Sequence, residues 1–405
     1  MNITAGVTMA PGSGFKLRPL HLEAPREDEV LVAIAAAGIC HTDLLCADGV
    51  FPAPIPAVFG HEGAGVIEAV GSAVRGFSVG DHVLMSFDSC GECLSCRRGL
   101  PSYCESFMAL NFGGGRADGA TALADGDQPV HSHFFGQSSL ATHAIARART
   151  LVRLPGDIPF ATAAPLGCGV QTGAGAVLNV LAVQPGSTVA VAGAGGVGLG
   201  AVMAARLCGA GTVTAIDPIA SRRALSLDLG ADHALDPLAD DFAERLRAIG
   251  ALDYAIDTSG QPGIITGCFE ALRKKGSLAL IGGPATPTFA FDSYKFLDGR
   301  SVRGLTMGES VPQQFVPMLI EHWRNGRFPV DRIITTYPFH DLDKAVDDMR
   351  NHEIIKPVLT TPVLSCPNPQ FGRPLAANVR HRASLLTGVH LIRQPPSTTR
   401  TWPFT

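Results

Sequence analysis

The sequence predicts an α/β protein in two parts, a mostly-β amino-terminal half and a doubly wound parallel sheet with helices on both faces. Three observations carry this expectation. Between residues 29 and 87 the apolar runs are short, β-branched and broken by Gly, Pro and Asp; from about 160 onward strand-like and helix-like patterns alternate; and a glycine-rich turn joins one such strand to one such helix. With 405 residues, 46% of them hydrophobic, the chain exceeds the size at which a single core usually stops growing.

In chain order, "EVLVAIAAAGIC" (29–40), "GVIEAVG" (65–71) and "HVLMSF" (82–87) are expected strands, the last two joined by the turn "RGFSVGD". "ATAAPLGCGVQTGAGAVLNVL" (161–181) has a small-residue helical pattern. "STVAVAG", "GTVTAID", "HALD", "LDYAIDTSG" and "SLALIGG" are expected parallel strands, separated by helices over "GVGLGAVMAARLCGA", "SRRALSLDLGA", "DFAERLRAIG" and "GIITGCFEALRKKG". After about 305 two further helices and a last strand are expected to return to the first part. The division is therefore 1–169, 170–305, 306–360 and a tail, 361–405. That tail has no Asp or Glu, five arginines and seven prolines, and lacks periodicity, so it is expected to be disordered.

The net charge of -4 offers no general attraction to a phosphate backbone, which argues against a nucleic-acid partner. No apolar run approaches the ~20 residues of a membrane span, and the first residues show no secretory pattern, so a reducing cytoplasm is the expected compartment. In that setting clustered cysteines favour metal binding over disulfides.

"TVAVAGAGGVGLGAVMAARLCGAGTVTAID" sets Gly193, Gly195 and Gly198 as G-x-G-x-x-G between a strand and a helix. The glycines allow a tight turn and close approach to a pyrophosphate at the helix N-terminus. Asp217, nineteen residues beyond Gly198, can bond a ribose 2′-hydroxyl and repel a 2′-phosphate, which favours NAD over NADP. Gly193, Gly195, Gly196, Val197, Gly198, Asp217 and Arg222 form the expected cofactor set.

Four of the ten cysteines, Cys90, Cys93, Cys96 and Cys104, follow C-x2-C-x2-C-x7-C. Four thiolates complete a tetrahedral Zn²⁺ and leave no place for substrate, so this is expected to be a structural site. A catalytic zinc needs three protein ligands and a vacancy, and the candidates outside the knot are Cys40 and Asp43 in "GICHTD", His61 and Glu62 in "GHEGAG", and Cys168 in "PLGCGVQTG".

Taken together and in this order, "GICHTD", "GHEGAGVIEAVG", "CGECLSCRRGLPSYC", "PLGCGVQTG" and "AGAGGVG" resemble the zinc-dependent medium-chain alcohol dehydrogenases over about residues 5 to 360. The resemblance implies a GroES-like catalytic domain and a Rossmann domain. It also implies Cys40, His61 and Cys168 as ligands of a catalytic zinc, Asp43 as the acid that orients His61, and Glu62 as a carboxylate able to approach the metal. A Cys₂His zinc is the general pattern known for alcohol dehydrogenase. The implied reaction passes hydride from an alcohol to nicotinamide while the proton leaves through Thr42.

Many relatives carry a histidine five residues after the first ligand, where this chain has Leu45. His41 is the obvious substitute in the proton path, or else a cation against the pyrophosphate. Phe51 and Phe87 fall roughly where relatives line the alcohol pocket, and "NFGGGRADGATAL" with "VHSHFFGQSSLATHA" looks like the benzyl alcohol and geraniol dehydrogenase branch. The expected substrates are primary aromatic or allylic alcohols, oxidised reversibly to aldehydes. A glutathione-dependent formaldehyde dehydrogenase or a polyol dehydrogenase shares the pattern, and a zinc-ribbon nucleic-acid-binding protein is the reading from another class. The resemblance also implies a homodimer or homotetramer, with an edge strand near "TFAFD" (288–292) extending a sheet across a two-fold axis.

Overall fold

The computed structural model describes residues 1–283, 288 and 290–361. The parallel sheet has six strands in the order His233–Leu235, Thr212–Ile216, Thr188–Ala192, Leu252–Asp257, Leu272–Leu280 and Ser301–Gly304. Counted along the chain this is 3-2-1-4-5-6, whose strand order reverses beside Thr188–Ala192, the place where such sheets bind dinucleotides. Val189, Ala190, Val191 and Ala192 are all fully buried, because helices cover both faces and leave no strand side for polar residues.

Two antiparallel-rich sheets make the amino-terminal part. In one, Asn2–Thr8 lies between Ala57–Val58 and Lys16–Leu22, and the sheet continues through Leu123–Asp125 and Gln128–Val130. In the other, Glu29–Gly38 pairs with Glu62–Val70, His143–Arg147 and Lys356–Thr360. The strand Lys356–Thr360 thus comes from the far end of the described chain, with Val358 opposite Gly38 and Ile334–Pro338 parallel on its other side.

Three local expectations are corrected. The small-residue stretch 161–181 is a broken helix: Phe160–Ala163, a 3-10 turn over Ala164–Gly167, then Gly169–Gly175 and a wider turn over Ala176–Val180. Pro165 and the non-helical Cys168 (φ -144°, ψ -87°) make the break, which leaves Cys168 between the 3-10 turn and the next helix. The helix expected over 263–276 ends at Ala271, where Leu272 turns extended and docks beside Leu252, while Arg273 and Lys274 pair with Asp253 and Asp298. Three consecutive charged residues offer no helical face to bury. Finally, the described residues of 288–292 form no strand, and the outermost strand on that side of the parallel sheet is Ser301–Gly304. The expectation of a disordered tail over 361–405 falls, Thr361 apart, outside the described residues.

Gly169–Gly175 packs on the helix Gly196–Leu207, and one apolar cluster runs from Val189 and Val191 through Val170, Ala174 and Val202 to Ala36, Ala64 and Leu84. The core therefore spans both halves. Glycine-rich turn, broken helix and the ends of strands Glu29–Gly38 and Glu62–Val70 all meet at this junction.

Candidate active site

Cys40 follows the strand Glu29–Gly38 and precedes the helix His41–Ala47. His61 follows Gly60, whose backbone is left-handed (φ 96°), and a side chain there would run into the Leu140 backbone, so glycine is what lets the chain turn His61 inward. With Cys168 from the broken helix, the ligand atoms of Cys40, His61 and Cys168 lie within 4.8 Å of one another. His61 Nε2 is buried with no hydrogen-bond partner among the described residues. An orphaned imidazole nitrogen facing two sulfurs is the Cys₂His donor set of a zinc with one position left over, so these residues fit the ion.

Asp43 organises the set. Its Oδ1 lies 2.8 Å from His61 Nδ1 and 2.9 Å from the Gly60 nitrogen, and its Oδ2 accepts the Cys40 N–H at 2.8 Å. This fixes the tautomer that turns Nε2 toward the sulfurs. Burial works against a charged His61, but the charge and hydrogen bond of Asp43, with Cys40 nearby, outweigh it and lift its pKa to about 10. The Cys40 thiol is held well below its ordinary range, first by the Cys168 thiol and then by His61 against the effect of burial. Thr42 Oγ1 is 3.8 Å from the Cys40 sulfur.

Glu62 is fully buried and has a partner that sequence reasoning missed. Lys356 Nζ lies 3.0 Å from Glu62 Oε1 and 3.1 Å from the Ile39 carbonyl, while Glu62 Oε2 is unpartnered among the described residues. Burial raises the Glu62 carboxyl to about 7 against the pull of Lys356. The available signal was a single cation in the otherwise uncharged strand "KPVLT".

The cofactor turn is built on Gly193 to Gly198. A side chain at Gly198 would collide with the Gly193 carbonyl, whereas one at Gly195 would meet nothing within 4 Å, so the turn is tight inside and open outside. Lys356 Cε would lie 3.2 Å from a side chain at Gly196, and Val197 sits beside Gly169, which places the cofactor turn against the ligand cluster. Asp217, just after strand Thr212–Ile216, is buried and accepts the N–H groups of Ala194 (2.7 Å) and Ile219 (2.9 Å). Arg222 Nε is buried without a partner among the described residues, and its Nη2 is 3.4 Å from His352 Nδ1. Lost solvation and the nearby cations Lys356 and Arg222 hold His41 below its usual pKa, against the pull of Cys40. Leu45 is 42% exposed.

The four knot sulfurs of Cys90, Cys93, Cys96 and Cys104 also lie within 4.8 Å of one another. The Cys93 and Glu92 N–H groups point at the Cys90 sulfur (3.3 and 3.5 Å), and the Cys90 N–H at Cys104 (3.2 Å). Backbone N–H groups of Cys96 and Glu105 lower the Cys93 thiol to about 6. Donors aimed at sulfur favour thiolate, the metal-binding form.

Phe51 and Phe87 belong to a larger aromatic wall. Phe51 packs on Phe112 (4.8 Å between centroids), Phe112 on Phe135 (5.0 Å) and Phe134 (5.5 Å), and Phe87 on Phe107 (5.8 Å). Phe135, in left-handed backbone (φ 51°), stacks on the His61 ring at 4.4 Å. Nothing in the sequence pattern groups Phe107, Phe112, Phe134 and Phe135 with Phe51 and Phe87, since only the fold brings these four separate segments together.

Residues 26–156 match the family described as alcohol dehydrogenase GroES-like domain, and residues 196–322 the one described as zinc-binding dehydrogenase. The geraniol dehydrogenase of Castellaniella defragrans is 44% identical over 361 residues, covering 88% of this chain and 96% of that protein. The crystal structure of a benzyl alcohol dehydrogenase from Acinetobacter calcoaceticus superposes with a TM-score of 0.86 at 39% identity, covering 89% of this chain and 99% of that one. An alcohol dehydrogenase zinc-binding domain protein from Burkholderia ambifaria gives 0.87 at 46% identity over the same shares.

Proposed function

The chain belongs to the zinc-dependent, NAD-linked alcohol dehydrogenases, and from that premise we propose that it oxidises primary aromatic or allylic alcohols reversibly to aldehydes. The observation that carries the substrate class is the wall of six phenylalanines leading to the His61 ring. Flat, unsaturated groups stack on such rings at offset or edge-on geometry, each contact worth about 0.5–1.5 kcal/mol beyond burial. The geraniol and benzyl alcohol dehydrogenases among the similar proteins support the same class.

In this reading Cys40, His61 and Cys168 hold the catalytic zinc and the four knot cysteines hold a structural one. When bound, zinc supplies Lewis acidity that lowers the pKa of a hydroxyl group, and NAD supplies the hydride acceptor. Asp43 keeps His61 in its ligating tautomer. Thr42 Oγ1, beside the Cys40 sulfur, can accept and donate, so it takes the alcohol proton outward. His41, whose surroundings include the cations Lys356 and Arg222, is assigned to the anionic pyrophosphate, in company with Lys356. Asp217 and Arg222 take the adenosine ribose. The phenylalanines hold the alcohol and exclude water.

Pairing of two subunits across the Ser301–Gly304 edge, beside the exposed Tyr294 and Leu297, belongs to the same proposal and is checked by light scattering. The decisive experiment on substrate is a steady-state panel of benzyl alcohol, geraniol, ethanol, sorbitol and the glutathione adduct of formaldehyde, each with NAD and with NADP. The highest kcat/KM is expected for benzyl alcohol or geraniol with NAD. Faster turnover of ethanol or of the glutathione adduct overturns the substrate class. For His41, an unchanged pH profile with weaker NAD binding in His41→Gln supports the pyrophosphate role; a shifted profile with unchanged NAD affinity refutes it.

A further inference from the structure

Four buried polar side chains outside both ligand sets form a hydrogen-bond network that passes through the Ser86 backbone. Gln137 Nε2 donates to the carbonyls of His61 (3.1 Å) and Ser86 (3.3 Å), while its Oε1 accepts the Gly63 N–H (3.0 Å). The Ser86 hydroxyl donates to the carbonyl of Gly167 (2.7 Å), the residue before Cys168, and accepts Gln171 Nε2 (2.8 Å), which also reaches that carbonyl. At its other end Gln171 Oε1 and the Met307 carbonyl share the single proton of the Ser310 hydroxyl, at 3.0 and 2.7 Å. None of the four side chains belongs to a residue more than 2% exposed.

Ser310 closes a turn in which Met307, Gly308 and Glu309 all have left-handed backbone (φ 52°, 64° and 48°). For Met and Glu this conformation is unfavourable and must be held by its surroundings. Glu309 is held by Arg303 Nη2 (2.7 and 2.8 Å) and by the Tyr103 hydroxyl (3.0 Å), and Tyr103 lies in the knot just before Cys104. Met307 is buried in the same apolar cluster as Cys168, Phe87 and Phe135.

We infer that Gln171 is a positioning residue that, with Ser310, fixes the Gly167–Cys168 peptide against the Met307 turn and so ties the ligand cluster to the cysteine-rich lobe. An apolar side chain of the same length would fill the space equally well. Packing therefore does not call for an amide, whereas the peptide that carries a ligand does. A lone carbonyl buried beside a metal site is left to wander unless donors converge on it, and such outer partners typically change metal affinity or activity by about 10-fold to 100-fold.

The inference rests on the reading of Cys40, His61 and Cys168 as zinc ligands, and the test separates the two. Zinc is withdrawn from the purified holoenzyme by a chelator and followed by metal analysis and by loss of turnover, in wild type, Gln171→Met, Ser310→Ala and Leu20→Ala. Leu20 is buried in the first antiparallel sheet, in a different apolar cluster, and controls for lost stability alone. Gln171→Met is expected to release the ion whose departure ends turnover about 10-fold to 100-fold faster than wild type. Ser310→Ala shifts the rate the same way by a smaller factor, and Leu20→Ala leaves it unchanged. Wild-type release rates in both network variants, or equal acceleration in Leu20→Ala, overturn the inference. Should Gln171→Met fail to fold, Ser310→Ala decides on the same criterion. A wild-type protein that keeps turning over after its only labile ion has gone overturns the ligand reading, and the inference with it.

Discussion

Lys356 Nζ lies 3.0 Å from Glu62 Oε1, and both residues are buried where the ligand cluster meets the cofactor turn. Removing one member of a buried pair leaves the other uncompensated, which costs about 3–5 kcal/mol. Lys356→Met is therefore expected to lower stability by about 3 kcal/mol. It also removes a cation from beside Gly196, so NAD binding weakens about 10-fold or more. Denaturant titration reads the first effect and calorimetric titration with NAD the second; unchanged NAD affinity contradicts the shared role.

Stacking of Phe135 on His61 makes the wall part of the ligand environment. Phe135→Leu keeps apolar volume but removes the ring, and kcat/KM for benzyl alcohol is expected to fall about threefold to tenfold, with that for a straight-chain alcohol of similar size nearly unchanged. Equal losses for the two alcohols contradict recognition by aromatic contact.

Glu29 shows the sign of a buried carboxylate well paired. Burial raises its pKa, but the His133 ring, whose Nε2 lies 3.5 Å from the carboxylate, and the hydrogen bonds from Arg116 outweigh it and bring the group from 4.5 to about 2. Arg116 grips both carboxylate oxygens, at 2.7 and 3.0 Å. Because the folded pKa is depressed, the stabilisation is complete above about pH 4.5 and is lost as pH falls through about 2. Glu29→Gln is expected to cost about 2 kcal/mol at pH 7, with the gap to wild type closing as the solution is acidified toward pH 2. Urea titrations at pH 7 and pH 3 check this.

Cys93 belongs to a closed set of four sulfurs with no room for an alcohol. Cys93→Ala is expected to lower thermal stability or disturb assembly first and turnover second. A stable, correctly assembled Cys93→Ala protein without activity contradicts that division.

Much of this site was legible because its chemistry is written in local patterns. The knot has fixed spacing, and Gly193, Gly195 and Gly198 stand between a strand and a helix whatever the rest of the chain does. Cys40, His61 and Cys168 are scattered over 129 positions, and only resemblance joined them before the fold did. What stayed hidden was long-range or locally ambiguous. The sequence leads one to expect a last strand returning to the first part, but that its first residue, Lys356, meets Glu62 depends on the register of Lys356–Thr360 against Glu29–Gly38, which no local pattern announces. Periodicity over 161–181 suggested one helix, yet the break at Pro165 and Cys168 is what aims a ligand. The run "LRKK" continues a helical pattern on paper, but the helix stops at Ala271, where Leu272 gains burial beside Leu252. The phenylalanine wall is contributed by separate segments, so composition alone could not assemble it.

The central claim is that Cys40, His61 and Cys168 hold the zinc at which chemistry occurs, while the knot holds another. Zinc content measured together with turnover in wild type and His61→Ala tests it most directly. Wild type is expected to bind about two zinc ions per chain, and His61→Ala to keep about one and to lose turnover by about 1,000-fold or more. Two ions retained in His61→Ala, or turnover near the wild-type rate with one, contradicts the account.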